Sequence, residues 1–306
     1  MNANNDRSYF LKHSNKHKKC APYIVTKKHK KTKKLKQNTI QTHIDTCLDS
    51  TSIKALVKNY NKTHKTNIIK RNKPNIMLED LKKKVYKDCK DNEVCIVNHK
   101  FVSPKLKMKL ANNYKPYMPK KWYEDKKTWL NTLDIDAVFN QYEIKYPEFV
   151  FFGPTPIDFD KKLNHYQCVD DELCRINIPQ LHNKGIKYIG IVFNLDPHNR
   201  GGSHWISLFC NLNKNEICFW DSYAHRPPKE VRMLMNKIKN QCKKIKKKMT
   251  IKITNNRHQY GNSECGLYST HFIIKLLEGD SFEKLTKNRI SDEIMNTYRS
   301  KYFLPL

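Results

Sequence analysis

"RHQYGNSECGLYSTHFIIKLL", residues 257–277, sets a polar, glycine-containing loop against a long apolar run, with one cysteine at the joint. From Cys265 onward the apolar residues cover most sides of a helical turn. The run therefore reads as a buried helix, ending at Gly279 as the residue just past its C-terminus. Such a helix needs a sheet to cover it. Cys265 admits two readings. Cysteine is among the most buried residue types and serves as a small core hydrophobe. At a helix start it can also be a nucleophile, its thiolate stabilised by unpaired N–H groups and the positive end of the helix dipole.

The sequence around this run supplies the sheet. "FVFFG" (149–153) is a short strand ended by Gly153-Pro154. "YIGIVFNL" (188–195) is apolar on both faces and so central. "HWISLFCNL" (204–212) and "EICFWDS" (216–222) follow as strands joined by an Asn213-Lys214-Asn215 turn, and "MTIKIT" (249–254) is a further strand. "TWLNTLDIDAVFNQYE" (128–143) predicts a helix carrying Leu133, Val138 and Phe139, capped by Thr132 or Asp134. The expected class is α+β, with a mainly antiparallel sheet packed on a central helix.

Upstream the pattern differs. Residues 1–36 form a basic tail: ten lysines and no acid lie between Lys16 and Lys36, which disfavours a packed core and predicts disorder. Such a tail is a solvated address or a grip on nucleic acid phosphates. Residues 37–118 predict a helical accessory region. Ile44, Cys47, Leu48, Ile53, Leu56 and Val57 recur at helical spacing, as do Ile76, Leu78, Leu81 and Val85, with Pro104, Pro116 and Pro119 marking the exit. Residues 119–306 form the third region.

The 306-residue chain carries 59 Lys and Arg against 29 Asp and Glu, a formal charge of +30. That charge points to anionic partners, nucleic acid first. Its ten cysteines include no CxxC pair, and the polar N-terminus has no apolar leader, so reduced thiols in an intracellular setting are expected. Cys168, Cys174 and His165 match no zinc spacing, and no metal or cofactor is expected. No apolar run approaches the roughly 18 residues of a membrane span.

A cysteine nucleophile needs a base, a group to orient that base, and donors for the oxyanion. His204 opens one predicted strand after Gly201-Gly202-Ser203, and Asp221 closes the next. If those strands pair through the 213–215 turn, the two side chains become neighbours, and the carboxylate can hold the imidazole in one tautomer. Gln259, six residues before Cys265, can place an amide donor beside the Cys265 N–H. Gly261 and Gly266 allow tight turning and close substrate approach. His225, in the "YAHRPP" loop, and His258, beside Gln259, are rival bases. Neither begins a strand facing a carboxylate, so they read as loop or substrate-edge residues.

The order His, Asp, Gln, Cys in "GGSHW" (201–205), "FWDS" (219–222) and "QYGNSECGLYS" (259–269) resembles the SUMO-protease and adenoviral-protease group of cysteine peptidases. "WLNTLDIDAVFNQYE" and "FVFFGPTPIDF" are similar to that group's approach helix and first strand, so the resemblance covers roughly residues 122–306. Within the group the chain looks most like the polyprotein-processing proteases of nucleocytoplasmic large DNA viruses. The resemblance implies a permuted papain-like fold, a catalytic domain over 119–306, and no cofactor. It implies cleavage of core or capsid precursors after Gly-Gly-Xaa during virion maturation, in the virion or the host cytoplasm. Cys265, His204, Asp221 and Gln259 would be catalytic. Trp205 would shape a slot for glycine-like residues, with Asn194 and Gly266 also contacting substrate. Each has a plainer reading: Trp205 as core, Asn194 as a turn residue, "CKKIKKK" (242–248) as a solvated helix face, Cys210 and Cys218 as inert core. Two other functions remain open at this point: an isopeptidase of a ubiquitin-like modifier, and a non-enzymatic nucleic-acid-binding virion protein.

Overall fold

The computed structural model describes residues 19–22 and 46–305. The basic tail expected over 1–36 lies, apart from Lys19–Pro22, outside the described residues. The chain divides into two compact units, Met1–Pro116 and Tyr117–Leu306.

The described part of the first unit is helical. Helix α1 (Ser50–Thr63) starts at Asp49, whose carboxylate accepts the Ser52 N–H at 2.7 Å. It buries Ile53, Leu56, Val57 and Tyr60, a single i, i+3, i+4, i+7 stripe. Helix α2 (Pro74–Lys84) buries Met77, Leu78 and Leu81, and Val85 beyond it is also buried. Ile76 is 44% exposed, contrary to its expected core place, because Met77 occupies the inward position. A one-turn helix (Tyr86–Cys89) follows, then α3 (Glu93–Asn98) and α4 (Pro104–Ala111). Buried Glu93 accepts the Cys47 N–H at 2.9 Å and the Tyr114 hydroxyl at 2.7 Å.

The cysteines correct the sequence reading. Cys20–Cys47, Cys89–Cys95 and Cys168–Cys174 are disulfides, where reduced thiols were expected. CxxC spacing was the wrong signal. Cys89 ends the one-turn helix and Cys95 lies in the first turn of α3, and the turn between them, with Lys90 at positive φ, brings their Cα atoms to 5.4 Å, inside the range a disulfide spans. Cys210, Cys218, Cys242 and Cys265 are free and buried.

The second unit is a five-stranded sheet between two helical layers. Its strands are β1 (Phe149–Pro156), β2 (Tyr188–Asn194), β3 (Trp205–Asn211), β4 (Glu216–Trp220) and β5 (Thr250–Ile253), in that spatial order. The central strands β2, β3 and β4 pair antiparallel, while β1–β2 and β4–β5 pair parallel. The sheet is therefore mixed. The parallel pairs arise where long, helix-containing connections cross over, which parallel strands require.

Alternation along the strands divides the core. Trp205 and Phe209 of β3 face a cluster with helices α5 (Thr132–Lys145) and α7 (Cys265–Leu277), whereas Ile206, Leu208 and Cys210 face helix α6 (Lys229–Lys244). Every residue of β3 is buried, as is every residue of α7 except Lys275. Gly279 follows α7 at φ +101°, the left-handed turn that glycine adopts without strain. Helix α5 is capped by Asn131, not Thr132, and Asp134 completes the reciprocal capping box. Its inward stripe is Ile135, Val138, Phe139 and Tyr142, while Leu133 is 76% exposed. Two short helices, α8 (Phe282–Lys287) and α9 (Asp292–Thr297), lie in the C-terminal segment.

Candidate active site

Strand pairing does what the sequence pattern anticipated. The β3–β4 ladder ends at Ser207–Trp220, and His204 and Asp221 lie just past it on the adjoining segments that enter β3 and leave β4. Both are buried, at 7% and 2% exposure, and His204 Nε2 meets Asp221 Oδ1 at 2.8 Å. Cys265 is among the groups whose proximity acts on the imidazole. With Nε2 engaged by the carboxylate, Nδ1 is the ring atom left for sulfur. Burial works to lower the His204 pKa. The hydrogen bonds to Asp221 and Cys265, with the negative charge of both, outweigh it and push the value up to about 9.

Cys265 is the first residue of α7 and is 1% exposed. The loop before it runs beside the extension of β4: Ser222 O accepts the N–H groups of His258 at 2.8 Å and Gln259 at 2.9 Å. The buried Gln259 carboxamide takes the Ser222 hydroxyl on Oε1 at 2.6 Å and donates from Nε2 to Gly261 O at 3.1 Å. Thus His204, Asp221 and Cys265 form one connected network, with Gln259 tied to Asp221's neighbour.

The other expected residues lie close by. The buried Trp205 donates from Nε1 to Leu130 O at 2.9 Å. A Cβ on Gly266 would stand 3.0 Å from Leu130 Cβ and 3.2 Å from Trp205 Cδ1. Asn194, paired with Trp205 across β2–β3, accepts the Asp196 and Ser203 N–H groups and closes the loop that delivers His204. The rival histidines divide. His225 is exposed and its Nδ1 lies 3.3 Å from Asp221 Oδ2, so it shares the carboxylate. His258 is buried with Nε2 3.1 Å from Thr286 O, and burial, with Arg289 adding, lowers its pKa.

Several contributors were missed by the sequence reading. Tyr223 stacks on His204 with ring centroids 4.8 Å apart and donates its hydroxyl to Gly261 O at 2.6 Å. Asp292 Oδ2 accepts the N–H groups of Tyr260 (2.9 Å) and Gly261 (2.7 Å), and Tyr268 donates its hydroxyl to Oδ1. Arg289 donates to His258 O, and Asn296 donates to the buried Glu264. Residues 286–296 therefore clamp the loop from His258 to Glu264. Tyr223, Glu264 and Tyr268 fall inside motifs around the candidate site, but nothing in those motifs marks what their side chains touch. The clamp residues sit more than twenty positions away in unremarkable sequence. Among the described residues no cluster of His, Cys, Asp and Glu could hold a metal ion, and no helix is long and apolar enough to cross a membrane.

Residues 176–306 match the Ulp1 protease family, C-terminal catalytic domain. A putative thiol protease of Acanthamoeba polyphaga mimivirus is 32% identical over 232 residues, covering 74% of each chain. A SUMO-1 cysteine protease of African swine fever virus is 27% identical over 241 residues, 73% of this chain and 86% of that protein. The crystal structure of an African swine fever virus protease superposes with a TM-score of 0.65 at 22% identity, covering 94% of this chain and 96% of its own, which shows a shared fold.

Proposed function

The chain belongs to the Ulp1 protease family and is a cysteine peptidase, and from that premise we propose that it is an endopeptidase cutting viral core or capsid precursors after Gly-Gly-Xaa. The observation carrying the mechanism is the buried His204–Asp221 pair, with Cys265 at the start of α7 acting on the same imidazole. In this reading His204, whose raised pKa keeps it an imidazolium at neutral pH, is the partner that takes the thiol proton. The Cys265 thiolate attacks the scissile carbonyl, and the Cys265 N–H and Gln259 Nε2 receive the oxyanion. His204 then gives its Nδ1 proton to the leaving amine, and accepts one from the water that hydrolyses the acyl-enzyme. Asp221 holds the Nε2–H throughout. Roles for Trp205, Gly266 and Asn194 in binding substrate belong to the same proposal. Leu130 and Trp205 press so closely on Gly266 that a Cβ there would crowd them, and preference for glycine at the cut is part of this proposal.

The proposal places this action in virion maturation, in the virion or the factory in host cytoplasm; the relatives are proteases of large DNA viruses. The lysines of residues 16–36 support a nucleic acid partner. So does the cluster of Lys239, Lys243, Lys246, Lys247 and Lys248 gathered at the end of β4 and β5 away from Asp221. The non-enzymatic reading falls with family membership.

A second reading, removal of a ubiquitin-like modifier from lysine, is favoured by the SUMO-1 protease name of the African swine fever virus relative. The test presents wild type, Cys265→Ala and His204→Ala with structural precursors and with a modifier conjugate, then maps new termini. Cuts after Gly-Gly-Xaa in linear precursors, absent in both variants, are expected. Wild-type cleavage by either variant refutes the mechanism, and cleavage of the conjugate alone transfers the function to the second reading.

A further inference from the structure

The Gln259 carboxamide can stabilise an oxyanion only if its nitrogen, not its oxygen, faces the reacting carbonyl. The two ends of an amide have nearly the same shape, so packing alone does not choose between them. Here hydrogen bonding chooses. Gly261 O can only accept, and it faces Gln259 Nε2 at 3.1 Å. Gly261 O also accepts the Tyr223 hydroxyl at 2.6 Å. The opposite end, Oε1, takes the Ser222 hydroxyl at 2.6 Å, in a spot where Ser222 and Gln259 are both 0% exposed and water has no access. A flipped amide would set Oε1 against the Gly261 carbonyl and leave the Ser222 proton without its acceptor. Ser222 also follows Asp221 directly and takes two loop N–H groups on its carbonyl. One residue thus ties the end of β4 to the loop that carries Gln259.

We propose that Ser222 is a positioning residue for catalysis: its hydroxyl fixes the orientation of the Gln259 carboxamide and so keeps the amide nitrogen aimed at the oxyanion. This rests on the reading of Gln259 as an oxyanion donor. Without the hydroxyl, Oε1 loses its buried partner and the amide rotates among orientations of which only some donate.

The test is a double-mutant cycle on cleavage of a Gly-Gly-Xaa peptide by full-length Ser222→Ala, Gln259→Ala and the double variant. Iodoacetamide alkylation of Cys265 against pH is measured alongside, since that reaction forms no oxyanion. Ser222→Ala is expected to lower kcat by roughly tenfold or more with KM unchanged. The ceiling is the roughly 10²–10³-fold cost of losing an oxyanion donor. The double variant should match Gln259→Ala, and the alkylation profile should stay that of wild type. Ser222→Cys, a weaker donor of similar shape, should fall between wild type and Ser222→Ala, and it keeps the test open if the alanine variant does not fold. Wild-type kcat in Ser222→Ala and Ser222→Cys while Gln259→Ala is impaired overturns the role of Ser222 alone. Losses that multiply in the double variant do the same. Wild-type kcat in Gln259→Ala overturns both the oxyanion reading and this inference.

Discussion

Asp292→Ala isolates the clamp on the loop before Cys265. The substitution removes two acceptor bonds, from the Tyr260 N–H at 2.9 Å and the Gly261 N–H at 2.7 Å. Tyr268 loses Asp292 Oδ1 but keeps Ile290 O at 2.7 Å, so its hydroxyl stays satisfied. Tyr260 and Gly261 are exposed, and water can replace the lost carboxylate. Each bond is then worth about 1 kcal/mol rather than the larger value of a buried charged pair. The sum, about 2 kcal/mol, corresponds to roughly a 30-fold change in how strongly the loop holds its bonded arrangement. If that arrangement presents Gln259 correctly, kcat on a Gly-Gly-Xaa peptide falls by up to about 30-fold. The unfolding midpoint of a catalytic unit this size falls by about 4–8 °C. Asp292→Asn keeps one acceptor and should recover much of both losses. Steady-state kinetics and thermal unfolding on the same preparations decide the matter. A lowered midpoint with unchanged kcat refutes the reasoning, because the clamp would then support the fold without positioning the loop.

Two other outcomes are expected. The His204 pKa is raised from 6.5 to about 9, so its imidazolium is present at neutral pH and is lost as pH rises through that value. Peptide kcat/KM should fall above about pH 9, and an alkaline limb near 6.5–7 would contradict the ion-pair mechanism. For Gly266→Ala, a gain in helix propensity of up to about 1 kcal/mol opposes overpacking of about 1–3 kcal/mol against Leu130 and Trp205, which brace each other through the indole N–H. A lower unfolding midpoint is expected, and a raised one would show that these neighbours yield.

The parts of the site that were legible in sequence are those fixed by local pattern. Apolar alternation and the Asn213–Asn215 turn locate β3 and β4, and their pairing alone places His204 beside Asp221. The apolar run after Cys265 locates α7. What was illegible depends on contacts distant in sequence. The parallel pairing of β1 and β5 follows from crossovers whose direction no local pattern encodes. Asp292 reaches Gly261 across 31 positions, and nothing near Asp292 distinguishes it from any other helix-start aspartate. Ser222 stood inside a quoted motif, but its hydroxyl gains meaning only once Gln259 is seen against it. The Asn131 cap was missed by one residue, because the reciprocal partner is Asp134 where glutamate is the usual signature.

The clamp on residues 258–264 comes from residues 286–296, which the ribosome adds after all four candidate catalytic residues have been made. During synthesis, a chain that has reached Cys265 holds the nucleophile, its partner histidine and the amide donor without the segment that fixes the loop. Order of manufacture thus becomes a safeguard: the nascent chain acquires its cutting geometry last, after the hairpin bearing His204 and Asp221 is already laid down.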